Sequence, residues 1–214
     1  MSGIVGSKLN IRGSGRIAKL GTDGQVLTSS GAGVSAVYED AAGGGAWNLL
    51  KTVTASGASS ADFVHGSGGV DLTTYKMYKL LGMDIEVSDD DSNPIVLWSD
   101  DTGVSYETSS YATSMNYLTY GGSVSASGSS SESLFFNNVA NGAGESASFE
   151  FTFSNPSSAL HKLSWGLGVV QPATGDMRLI ISGSTWTSTA DVDAFQFKIN
   201  SGTFSGILKL YGIS

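Results

Sequence analysis

Ser148-Phe149-Glu150-Phe151-Thr152-Phe153-Ser154 decides the fold class. Three phenylalanines at every second position, with Glu150 and Thr152 between them, match the two-residue repeat of a β-strand and give it one aromatic face to bury. The same spacing on a helix would scatter the rings around the axis. Asp193 to Asn200 repeats the pattern, with Phe195, Phe197 and Ile199 on one side and Gln196 and Lys198 on the other.

Outward from these two, shorter runs of the same kind fall at Trp47 to Thr54, Ala61 to His65, Tyr75 to Val87, Pro94 to Ser99 and Tyr111 to Thr119. They continue at Ser133 to Val139, Leu163 to Val170, Met177 to Ser182 and Ile207 to Ile213. Polar or glycine-bearing clusters separate them: Ser88 to Asn93, Gly121 to Ser131, Asn141 to Glu145 and Ala173 to Asp176. Apolar residues nowhere recur at sustained three- and four-residue spacing, so no long helix is predicted. Strands without intervening helices form antiparallel sheets, and the expectation is an all-β, jelly-roll-like antiparallel β-sandwich over residues 46–214.

Residues 1–45 differ. Apolar residues are sparse there, glycines fall every few positions, and Gly43-Gly44-Gly45 closes the stretch as a hinge. Such a segment cannot bury a core alone, which predicts an extended, Gly-rich N-terminal docking or oligomerisation arm ordered by a neighbour. Lys8, Arg12, Arg16 and Lys19 give the first 22 residues a charge of +4 with no acid, against −8 for the whole chain. These four are the candidate docking residues of the arm. The remainder is strongly acidic, which repels phosphate backbones and argues against nucleic acid as a partner of the main domain.

Only 14% of the residues are charged and none is cysteine, so stability must come from core burial or oligomerisation. Met1 to Gly15 lacks the apolar run of a secretory signal, and no stretch approaches the roughly 18 apolar residues of a membrane span. Synthesis in a cytoplasm without membrane insertion is expected.

Two stretches carry a family likeness. Leu20-Gly21-Thr22-Asp23-Gly24-Gln25-Val26-Leu27-Thr28-Ser29-Ser30-Gly31-Ala32-Gly33, followed by Val37-Tyr38, resembles the short Gly-rich element of tail-fibre and related appendage proteins of tailed phages. Tyr38 stands where that element usually ends in Trp. Gly202-Thr203-Phe204-Ser205-Gly206-Ile207-Leu208-Lys209-Leu210-Tyr211-Gly212-Ile213 resembles the closing strand of many such proteins. The resemblance implies a virion protein, often a homotrimer, incorporated by assembly with other virion proteins. On its own chemistry, Asp23-Gly24 favours a tight turn with Gln25 to Thr28 as a short strand after it. A lone hairpin is marginal in water, so copies would have to stack it.

Candidate chemistry is sparse. Ser99-Asp100-Asp101-Thr102-Gly103-Val104-Ser105-Tyr106 resembles the Asp-box of sialidases and other β-proteins, a structural turn whose key positions here are Ser99, Asp101, Gly103, Ser105 and Tyr106. Asp89-Asp90-Asp91-Ser92-Asn93 reads as a solvated acidic turn or as oxygen ligands for Ca²⁺, without the register of an EF-hand. His65 and His161 are the only histidines and neither adjoins a Ser or Asp constellation. Gly13-Ser14-Gly15 and Gly43 to Gly45 lack the Lys-Ser/Thr that makes a phosphate cradle. No catalytic residue, cofactor or metal is therefore assigned, and the chain is expected not to be an enzyme.

Aromatics interleaved with Ser, Thr and Asn suit stacking on sugar faces, and Tyr117, Tyr120 and Trp186 are the candidate receptor or subunit contacts. Tyr117 and Tyr120 adjoin Gly121 to Ser131, read as a loop at one end of the sandwich. The expected function is attachment, with the arm fixed to the particle and the sandwich facing a host glycan. A capsid decoration protein clamping capsomers is the alternative, separated by its near-stoichiometric copy number. A polysaccharide depolymerase is the third reading, because paired carboxylates can be distant in sequence.

Overall fold

The structure, a computed structural model, describes residues 25–28, 37–40 and 47–214 apart from 135, 137, 173 and 174. The chain divides into two units, Met1–Gly45 and Ala46–Ser214. In the first, β1 (Gln25–Thr28) pairs antiparallel with β2 (Val37–Asp40), Leu27 opposite Tyr38. The expected strand at Gln25 to Thr28 is thus present. Asp23, Gly24 and the four basic residues Lys8, Arg12, Arg16 and Lys19 lie outside the described residues.

The second unit begins with β3 (Trp47–Ala58), β4 (Ser60–Val64), β5 (Met77–Val87), β6 (Pro94–Ser99), β7 (Tyr111–Thr119) and β8 (Val124–Ser129). It continues with β9 (Ser133–Leu134), β10 (Ala147–Ser154), β11 (Lys162–Val170), β12 (Arg178–Trp186), β13 (Ala194–Ile199) and β14 (Phe204–Ile213). No helix occurs among the described residues.

Two antiparallel sheets result, one ordered β3-β14-β5-β10-β11-β12-β7-β8 and one ordered β4-β13-β6-β9. Setting aside the hairpins β7–β8 and β11–β12 leaves β3-β14-β5-β10 against β4-β13-β6-β9. Along the chain these eight strands alternate between the sheets as a jelly roll requires, with β6 and β9 consecutive in the small sheet. Both hairpins add to the same margin of the larger sheet, which they widen from four strands to eight.

The core lies between the sheets. Phe149, Phe151 and Phe153 of β10 point into it, as do Phe195, Phe197 and Ile199 of β13. Trp98 of β6 lies between them, its ring 5.1 Å from Phe153 and 5.9 Å from Phe195 by centroid. Gly206, at φ 137, sits at a register shift between β14 and β5, a backbone state that excludes a side chain at little cost only in glycine.

Four expectations need correction. Thr152, on the face opposite the phenylalanines that a half-buried strand leaves uncovered, is itself buried, because its register partners Trp165 and Lys79 flank it on the outer face. Gly121 to Ser131 is no open loop but contains β8, paired with β7 through Leu118 opposite Val124. Among the described residues of Ser133 to Val139 only two are in a strand; Asn138 takes φ 60, and Val139 instead bridges to Ser92. Trp186, expected at a receptor or subunit contact, is 2% exposed and stacks with Tyr111 inside the core.

Candidate interaction surfaces

The sequence of β11 alternates so that Leu163, Trp165, Leu167 and Val169 fall on one side and Ser164, Gly166 and Gly168 on the other. In a sandwich the larger apolar set should turn inward. Here it turns outward: Leu163 is 56% exposed and Trp165 44%, whereas Ser164 is buried. The inner side must be small because Phe136, fully buried, packs onto Gly168. Register then places Leu167 beside Ile181 and Val169 beside Leu179 on β12, and Leu179 beside Leu118 on β7. On β8, Val124, Ala126 and Gly128 continue the same face. Trp165 lies opposite Gly183, which has no atom within 4 Å of where a Cβ would stand and which borders a hollow. Leu163, Ala112, Ser114 and Gly183 are among its lining residues.

The opposite face of the same margin has different chemistry. Tyr117 of β7 and Ser125 of β8 are register partners there, followed by Ser127 and Ser129 at two-residue intervals. Arg178 begins β12 one step away, and its guanidinium lies over the Tyr117 ring, 4.8 Å from the centroid. Among the described residues, Nε and Nη1 of Arg178, both buried, have no hydrogen-bond partner, and no carboxylate pairs with the side chain. At the β7–β8 turn Tyr120 is 83% exposed, held by its backbone N–H donating to the Met177 carbonyl at 3.0 Å. The β12–β7–β8 end therefore presents a cation, two tyrosines and a serine row. Rings of this kind stack on apolar faces of sugars, while Arg and hydroxyls bond the polar ones. Of the three aromatic candidates, the structure brings Tyr117 and Tyr120 to one end and sends Trp186 to the core.

The Asp-box-like residues form one turn. Ser99 Oγ donates to Asp101 Oδ1 at 2.8 Å and accepts from the Gly103 N–H at 2.9 Å. Ser105 Oγ donates to Asp101 Oδ2 at 2.6 Å and its N–H to Oδ1 at 2.9 Å. Gly103 has φ 78, and Tyr106 packs against the core. Burial, then the nearby Asp62 carboxylate, pushes the Tyr106 hydroxyl above the ordinary phenol range. The Ser105 hydroxyl, then its amide, pulls the Asp101 carboxyl from 3.8 to about 2. A carboxyl lowered in the fold stabilises it above its unfolded pKa and loses that contribution as pH falls through the folded one. The melting temperature is thus expected to fall between about pH 4 and pH 2. Asp101→Asn should flatten that limb in a pH series of thermal melts.

The acidic turn is occupied by the protein's own groups. Asp89 accepts from Ser88 Oγ at 3.0 Å and Ser201 Oγ at 2.6 Å, and Asp90 accepts from the Asn141 N–H at 3.3 Å. Among the described residues no group of three or more His, Asp or Glu is placed to hold a metal. His65 Nδ1 accepts from the Leu72 N–H at 3.1 Å and so fastens a turn.

Sequence reasoning missed Arg178 and the outward face of β11. Arg178 follows a polar cluster and has no motif around it; only its pairing with β7 gives it a role. Compared with family models, with curated proteins and with solved structures, the chain has no match.

Proposed function

We propose that this chain is a structural subunit of a tailed-phage virion, a fibre or appendage protein that docks through residues 1–45 and uses its β-sandwich to attach to a host-surface glycan. The resemblance of Leu20 to Tyr38 and of Gly202 to Ile213 to appendage elements supports the virion assignment. The observation that carries attachment is the Tyr117–Arg178 stack, an unneutralised cation over a ring beside serine hydroxyls, with the exposed Tyr120 at the same end of β7. A ligand with a sugar ring and an anionic substituent has the chemistry to use all three.

Particles carrying Tyr117→Ala plus Tyr120→Ala should adsorb to host cells about tenfold less or worse, since aromatic and Arg anchors dominate small interfaces. Tyr120→Ala alone, at a position that touches no core, should reproduce part of the loss. Wild-type adsorption by both variants would remove the attachment reading.

A further inference from the structure

We propose that the outer face of β11, β12, β7 and β8 is covered by the same face of another copy of this chain. The first ground is the inverted pattern of β11, which puts Leu163, Trp165, Leu167 and Val169 toward solvent and glycines toward the core. Ile181, 59% exposed, and Leu118, 44%, extend the patch on β12 and β7. Together these side chains leave on the order of 600 Å² of contiguous apolar surface, at the upper end of what a lone monomer commonly shows and approaching the roughly 800 Å² per partner of a stable interface.

Charge identifies the occupant. The chain carries −8, so two copies repel wherever acidic turns meet. None of the outward side chains on these four strands is ionised, so pairing this face with itself desolvates no charge and keeps the acids at the periphery. A basic protein would be drawn to the acidic turns instead, and an anionic membrane would repel the body. Relief is also available: Gly183, the register partner of Trp165, and Leu163 line an open hollow of about 690 Å³ into which a partner's side chains can pack. The Tyr117–Arg178 stack lies on the other face of the sheet, so this proposal rests on different side chains from the glycan reading.

Light scattering on the full chain tests it. Wild type should weigh a multiple of 22.0 kDa, and Leu167→Lys plus Ile181→Lys should weigh a single chain with unchanged circular dichroism. Val104→Lys, exposed on the Asp101 turn, should keep the wild-type mass. Hydroxyl-radical labelling of Trp165 gives a second readout, expected at least severalfold slower in wild type than in the double variant. If residues 1–45 also hold copies together, mass survives in the double variant and the labelling difference alone reports the face. A wild-type chain of single mass at micromolar concentrations, or equal labelling of Trp165 in both proteins, overturns the proposal. Neither result bears on adsorption.

Discussion

Trp98→Ala is expected to destabilise the sandwich by about 3–5 kcal/mol, the range for emptying a large aromatic site in a packed core. Trp98 is 1% exposed and contacts rings of both sheets, with Phe151 at 6.2 Å and Phe153 at 5.1 Å across the core and Phe195 at 5.9 Å on the adjacent strand. Its backbone also anchors the chain after β6. The Trp98 N–H donates to Tyr111 Oη at 2.9 Å, and Tyr111 Oη donates to the Glu107 carbonyl at 3.2 Å. Those bonds survive the substitution, so the loss is one of packing. The indole Nε1 is buried without a hydrogen-bond partner among the described residues. Trp98→Phe removes that unsatisfied donor along with some volume, and should cost only about 1 kcal/mol. Urea unfolding should show a lower midpoint with an unchanged slope for both. A Trp98→Ala midpoint equal to wild type would mean that this ring cluster does not hold the two sheets together.

Gly168→Ala should cost about 3 kcal/mol although it adds a single methyl group. A Cβ at that position would stand 2.2 Å from the Phe136 ring and 2.6 Å from the Ser148 carbonyl oxygen. The ring could shift at some expense, but the carbonyl belongs to the β10–β11 ladder and cannot. The backbone there is ordinary strand, so the penalty is crowding and not a forbidden φ. Gly121→Ala is the control, since its Cβ would meet only Thr119 Oγ1 at 4.0 Å, and it should stay within about 0.5 kcal/mol of wild type. Equal midpoints for the two variants would show that Phe136 does not seal the underside of β11.

Much of the fold was legible because large side chains carry a loud alternation. Phe149, Phe151 and Phe153 announced β10, and the limits read for Pro94–Ser99 and Tyr111–Thr119 are those of β6 and β7. β8 was illegible for the complementary reason. Val124, Ala126 and Gly128 alternate with three serines, a contrast too small to separate from linker composition, and the strand forms because β7 offers an unpaired edge. Period two also reveals that a strand has two faces without revealing which one is inside. For Leu163 to Val170 the natural assumption buries the leucines, whereas Phe136, distant in sequence, claims the inner space. The same blindness affected Trp186, whose Ser and Thr neighbours suggested a wet surface while its register partner Tyr111 takes it inward. Of the candidate site, Tyr117 and Tyr120 were visible as aromatics near small polar residues. Arg178 needed the sheet order to become their neighbour.

The position of β14 between β3 and β5 bears on biosynthesis. Of the fourteen strands among the described residues it leaves the ribosome last, yet it supplies the seam joining the first strand of the sandwich to the rest of the large sheet. Until Phe204–Ile213 emerges, β3 and β5 each hold an unzipped margin, open to strands from other nascent chains. Closure therefore waits for β14 and proceeds through contacts remote along the polypeptide, a slow class of folding reaction. A product terminated before β14 would be an aggregation seed and not a slightly weakened subunit.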